Sequence, residues 1–267
     1  MSGIRRNEFS ERDLIDLGSS EFIEGIYNYC DRWCERCHMT EHCRVFADES
    51  PDQTVNDLEN EEFWNEIEAN LSRIREWLEQ MAEERGIEWD EEELEAIQQR
   101  QKEQMAEARD HPLSVHSREY MEEAGQWLES HEQVMRDKPE QWQEQYEMNV
   151  NRDEAVKKFE KLEDVLEVIH WYRPQIHVKL TRALKSQLSE FPEDEDRKDS
   201  DGSAKIALIG IDRSIAAWRW LYEQLPEQED SILDLLVDLE KLRNQTEDSF
   251  PNARSFQRPG FDDRYKV

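Results

Sequence analysis

Turn-forming residues are scarce in this chain. Its 8 glycines and 8 prolines among 267 residues are too few to punctuate the many short strands of a sandwich, barrel or propeller. The composition therefore predicts an all-α fold. Lysine is scarce too, 11 against 23 arginines, and against those 34 cations stand 65 Asp and Glu, a formal charge of −31. Such a surface repels phosphate backbones, which disfavours direct nucleic-acid binding. A solvated acidic face, as in a protein adapted to high salt, accounts for the charge without a partner; a DNA-mimicking or basic-partner-binding role is the alternative. Long apolar runs are missing as well. The longest, Ile206 to Ile211, falls far short of the roughly 20 residues of a membrane span. No apolar stretch follows Arg5 and Arg6, so no signal peptide is expected and the expected location is cytoplasmic. What the chain has is aromatic residues: nine Trp, nine Phe and seven Tyr, more than a disordered acidic chain carries.

Apolar periodicity organises the sequence into a multi-helix bundle preceded by a small module. Residues 1–20 read as a polar lead-in, 21–50 as a cysteine module, 51–250 as the bundle and 251–267 as an irregular tail. Glu21 to Cys34 is predicted as a helix running into the cysteines. A second helix starts at Thr54, with Asp57 at capping-box spacing, and carries Phe63, Ile67, Leu71, Ile74, Leu78 and Met81 on one stripe. The Glu- and Gln-rich stretch 88–112 reads as a weakly ordered connector or a solvated helix ended by Pro112. Tyr120, Ala124, Trp127, Leu128, His131 and Met135 resume the helical period up to Pro139. The next helix runs from Asn151 through Leu162, Leu166, Ile169, Ile176 and Leu180, with a kink expected at Pro174. A polar loop is predicted over 191–203, then a central helix from Lys205 to Tyr222 that is apolar on nearly all sides. Ser231 and Asp234 are expected to cap the last helix.

All four cysteines fall within YCDRWCERCHMTEHC, as C-x3-C-x2-C-x5-C. On a continuous helix Cys30, Cys34 and Cys37 share one face, and Cys43 returns after a turn to complete a four-thiolate cage. In a reducing compartment such a cluster points to metal ligation. Four thiolates within 14 residues are closer to iron–sulfur runs than to the paired, widely separated knuckles of structural zinc. A [4Fe–4S] cluster is the first assignment; zinc and unliganded thiols are the alternatives. His38 and His42 lie inside the loop as substitute zinc ligands or exposed bystanders. Trp33, Tyr27, Tyr29 and Phe46 are candidates for an apolar shell around the metal, or for plain packing contacts.

From Cys34 to Cys43 the spacing C-x2-C-x5-C resembles the last three cluster ligands of the helix-hairpin-helix DNA glycosylases such as endonuclease III. The resemblance covers about ten residues. It departs at Cys30, three residues from Cys34 where that family has six, and no glycine-containing DNA-binding hairpin accompanies it, so it supports cluster binding and not glycosylase activity. The C-x3-C-x2-C triad likewise resembles radical-SAM ligand spacing, which implies a parallel β/α barrel; this chain offers no run of strands.

A second metal candidate lies in the bundle. Glu167 and His170 form an E-x-x-H pair of the kind that serves ferritin-like dimetal sites, and His116, Glu119 and Glu123 are the nearest complement on an earlier helix. At about 100° per residue, Glu167 and His170 stand about 140° and 80° from Leu162, flanking the core. Arg173 falls about 20° from Leu162, and Arg213 sits on the apolar face of the central helix. Buried guanidinium groups need carboxylates, and Asp212, Asp234 and Asp238 are the candidates. His131 is expected as a hydrogen-bonded core histidine. Three functions follow from the sequence: a four-cysteine metalloprotein with an electron-transfer, sensing or structural role and an unidentified protein or redox partner; a non-enzymatic acidic scaffold with structural zinc; and a dimetal carboxylate oxidoreductase.

Overall fold

The computed structural model describes residues 22–48, 81, 86, 91–148, 152–188 and 195–262. The expected helix stripe from Thr54 through Leu78 lies outside the described residues. The chain divides into two compact units, Met1–Tyr27 with Cys34–Arg100, and Asn28–Trp33 with Gln101–Val267.

The described residues form an all-α multi-helix bundle without a strand. Its helices are α1 (Arg44–Asp48), α2 (Glu91–Asp110), α3 (Pro112–Ser130), α4 (Glu132–Glu147), α5 (Arg152–Gln187), α6 (Glu195–Gln224) and α7 (Glu229–Ser249). Helix α3 starts where Pro112 occupies the first turn and the His111 Nδ1 accepts a hydrogen bond from the Leu113 amide at 3.2 Å, satisfying an amide that the helix itself cannot. In α5, Asp153 and Glu154 in the first turn and Lys185 in the last complement the helix dipole.

Side-chain pairs fix how the long helices run. Between α3 and α5, Ser114 meets Thr181 at 2.8 Å, Ser117 meets the His177 Nδ1 at 3.0 Å, and the Arg173 guanidinium lies over Gly125. Numbers fall on one helix as they rise on the other, so the two are antiparallel. The same holds between α3 and α7, where His116 pairs with Gln245, Trp127 with Ser231 and His131 with Gln228. It holds between α5 and α6 through Arg182 with Asp199 and Tyr172 with Arg213. The short 3-10 connection Pro226–Gln228 turns α6 back into α7, where Arg243 faces Asp212. Four antiparallel helices thus close a ring around Trp218, Tyr120, Leu208, Ile211, Leu239 and Leu242, all buried. At its centre the Trp218 Nε1 donates to the Tyr120 hydroxyl at 3.0 Å, and burial pushes that phenol's pKa up to about 12.

Several boundaries differ from expectation. Residues 91–110 of the expected connector form α2, held by Ala108 in the core and by Gln104, which donates to the Leu188 carbonyl at 2.8 Å. Pro139 does not end a helix but lies inside α4. Met135 and Trp142, buried on either side of it, supply packing that outweighs the roughly 3 kcal/mol cost of an internal proline. The helix break falls earlier, at His131. Residues 195–203 of the expected loop are the first turns of α6, because small Ser200, Gly202, Ser203 and Ala204 bury there. Helix α7 begins at Glu229, so Ser231 is no cap; its hydroxyl donates to the Gln228 carbonyl and accepts from Trp127.

Candidate metal centre

The expected helix from Glu21 to Cys34 is absent. A 3-10 turn, Ile26–Tyr29, is followed by non-helical backbone through Trp33, so Cys30, Cys34 and Cys37 do not share a helical face. Two residues account for this: Gly25 has φ 73° and Arg32 φ 58°, left-handed values that no α-helix accommodates. Arg32 is held there by an Asx turn, in which the Trp33 amide donates to the Asp31 carboxylate at 3.2 Å.

Residues 28–33 belong to the bundle unit and form a strap across α5 and α6. Tyr29 lies against Phe256, ring centroids 4.7 Å apart, and over Gly202, where a Cβ would stand 2.3 Å from its ring; only glycine admits it. The Asp31 carbonyl accepts from the Trp171 Nε1 at 2.9 Å. The Asp31 carboxylate accepts from the Tyr172 hydroxyl and, at 3.0 Å, from Arg213. Burial, then the hydrogen bond to Asp31, raises the Tyr172 phenol well above its ordinary value. Trp33 stacks on Trp171 at 5.2 Å and meets Tyr172 edge-on at 5.8 Å. Arg213, expected to pair with Asp212, Asp234 or Asp238, is thus exposed and pairs with Asp31, while Asp212 takes Arg243 and Arg254.

Cys30 sits mid-strap, half-buried, and accepts a hydrogen bond from the Arg32 amide. Burial pushes its thiol pKa up, against the lowering effect of that amide and of the Arg32 and Lys179 charges. Lys179 of α5 is itself 7% exposed, and burial lowers its pKa.

The other three cysteines belong to the first unit, and all are half-buried thiols. Cys34 opens a 3-10 turn, Cys34–Arg36, which the Cys37 amide closes onto the Cys34 carbonyl at 3.1 Å. The Met39 amide then donates to the Cys37 Sγ at 3.4 Å. A second turn, Thr40–His42, ends with the Cys43 amide on the Thr40 carbonyl at 3.1 Å. The Ile23 amide donates to the His42 carbonyl at 3.0 Å, tying the start of the segment to its end. His38 and His42 are exposed, as is Phe46. Among the described residues no three His, Cys, Asp or Glu side chains are grouped to hold a metal ion.

The bundle candidates are dispersed in function. His116 reaches Gln245 of α7 at 2.9 Å. Burial, then Asp238 and Glu119, raises the Glu123 carboxyl. Glu167 and His170 are exposed on α5, and burial with the Arg173 charge lowers the His170 pKa. His131 is a hydrogen-bonded histidine at the α3–α4 junction, stacked on Trp127 at 4.3 Å and reaching Gln228 at 2.7 Å. The sequence reading missed the Asp31, Tyr172 and Arg213 network; the one signal available was Arg213 on an apolar face without a local carboxylate of suitable phase. No family model, curated protein or solved structure matches this chain.

Proposed function

We propose that this chain is a metal-binding helical protein in which Cys30, Cys34, Cys37 and Cys43 ligate one centre, a [4Fe–4S] cluster in the first instance, with an electron-transfer, sensing or structural role. The carrying observation is the backbone donor set. Cys30 and Cys37 each accept an amide N–H from the residue two positions on, Arg32 and Met39. Amide donors stabilise sulfur in its anionic, metal-ligating form and tune cluster potentials. The one-turn separation of Cys34 and Cys37 supports the same reading, and it also suits zinc, the second assignment. Bound there, an iron–sulfur cluster would supply one-electron chemistry and zinc a structural crosslink.

The ultraviolet-visible spectrum and elemental content of anaerobically purified protein test this. Brown protein with iron and sulfide supports the cluster, and colourless protein with one zinc the structural site. Two irons lost on His170→Ala would point to the bundle instead. Protein made with both metals available yet holding none overturns the proposal.

A further inference from the structure

Turns carry the cysteine segment where a helix was expected, and the tighter geometry has chemistry of its own. A 3-10 turn rises about 2 Å per residue with about three residues per turn, so side chains three apart are eclipsed on one side of it. Cys34 and Cys37 have that spacing, and the Cys37 amide closes the turn onto the Cys34 carbonyl at 3.1 Å. Three such steps put the two Cα atoms about 6 Å apart, inside the range of roughly 4.4–6.8 Å that a disulfide spans. On an α-helix the same spacing would leave the two side chains about 60° out of phase.

The turn is also reachable from solvent. Glu35 and Arg36, between the two cysteines, are exposed, as is His38 after them, and both thiols are half-buried. The two sulfurs differ in one respect. The Met39 amide donates to the Cys37 Sγ at 3.4 Å, and such a bond favours the thiolate, the form that attacks a disulfide. The Ile23 amide on the His42 carbonyl, at 3.0 Å, keeps the turn inside a closed loop.

We infer that Cys34 and Cys37 are a redox-active dithiol that exchanges with small disulfides of the glutathione class. The Cys37 thiolate attacks one sulfur of the small disulfide, forming a mixed disulfide at Cys37 and expelling the first small thiolate. The Cys34 thiolate then attacks the Cys37 Sγ, expels the second small thiolate and closes the Cys34–Cys37 bond. Two protein thiols are oxidised, one small disulfide is reduced, and the two protons end on the two released thiols. The inference requires no metal. A disulfide sulfur is not a thiolate ligand, so the oxidised pair and a metal centre on the same cysteines exclude one another.

The test uses the full-length chain. Its metal is counted first, then removed with a chelator, and the reduced protein is equilibrated in glutathione buffers of rising disulfide fraction. Acid quenching, alkylation and peptide mass spectrometry identify the bonded pairs, and circular dichroism checks that each sample is folded. Wild type, Cys30→Ser and Cys43→Ser should all form the Cys34–Cys37 disulfide, losing the mass of two hydrogens. Cys34→Ser lacks the second sulfur and should hold glutathione on Cys37, taken up at least about threefold faster than Cys37→Ser takes it up on Cys34. In unfolding urea the turn is lost, and half-oxidation of wild type should need at least about tenfold more glutathione disulfide. Wild type that stays reduced, that pairs Cys30 or Cys43 instead, or that oxidises as readily unfolded as folded overturns the inference, whatever its metal content. Wild type that arrives without metal yet forms the Cys34–Cys37 disulfide overturns the metal reading and leaves the dithiol standing.

Discussion

Replacing Asp31 with alanine tests whether the strap is part of the folded bundle. The Tyr172 residue is 1% exposed, and its hydroxyl donates to the Asp31 carboxylate; losing that acceptor costs about 1–3 kcal/mol. The Arg213 side chain is 54% exposed, so its ion pair adds only about 0–1 kcal/mol. Without the Asx turn, Arg32 at φ 58° loses the bond that compensates a conformation costing about 1 kcal/mol. The sum is a destabilisation of about 2–5 kcal/mol. Urea unfolding followed by far-ultraviolet circular dichroism measures it, with Tyr172→Phe and the double variant completing a cycle. The expected coupling is about 1–2 kcal/mol, and Arg213→Ala should cost under about 1 kcal/mol. An Asp31→Ala variant within about 0.5 kcal/mol of wild type, or additive single effects, would refute the latch.

Three further outcomes are expected. Gly202→Ala should destabilise by about 1–3 kcal/mol despite alanine's better helix propensity, because its methyl would meet the Tyr29 and Phe256 rings; adding Tyr29→Ala should return part of the loss, measured by thermal melting. At Asp262, burial works against ionisation, but bonds from Arg258 and Lys205 outweigh it and hold the carboxyl well below its ordinary value. Its folded pKa is depressed, so its stabilisation is present above the ordinary Asp value and is lost as pH falls through the folded one. Wild type should lose more stability than Asp262→Asn between about pH 5 and pH 2, and parallel curves would contradict this. Finally, raising salt to ~0.5 M should raise the melting temperature by screening a charge of −31; an unchanged or lower midpoint would count against self-repulsion.

The fold class was legible because apolar spacing at 3.6 residues is a local signal, and the long stripes of α5, α6 and α7 carry it. Boundaries were misread where tertiary burial overrides local preference. Pro139 sits inside α4 because Met135 and Trp142 are both buried. Residues 195–203 are helical because their small side chains let Tyr29 and Phe256 approach. The cysteine segment was misread for a different reason. Helical spacing of Cys30, Cys34 and Cys37 is also compatible with turns, and Asp31 is held by Trp171, Tyr172 and Arg213, 140 to 182 residues away along the chain. Such partners leave no periodic trace.

The account rests on one ligand set, so the most direct measurement is metal per chain across a substitution series. Iron, sulfide and zinc should be counted in anaerobically purified wild type, in the four Cys→Ser variants at Cys30, Cys34, Cys37 and Cys43, and in His38→Ala and His42→Ala. Shared ligation predicts that each serine variant loses most of the metal while both histidine variants, exposed in the structure, keep it. Wild type without stoichiometric metal, or serine variants that keep it, would contradict the account.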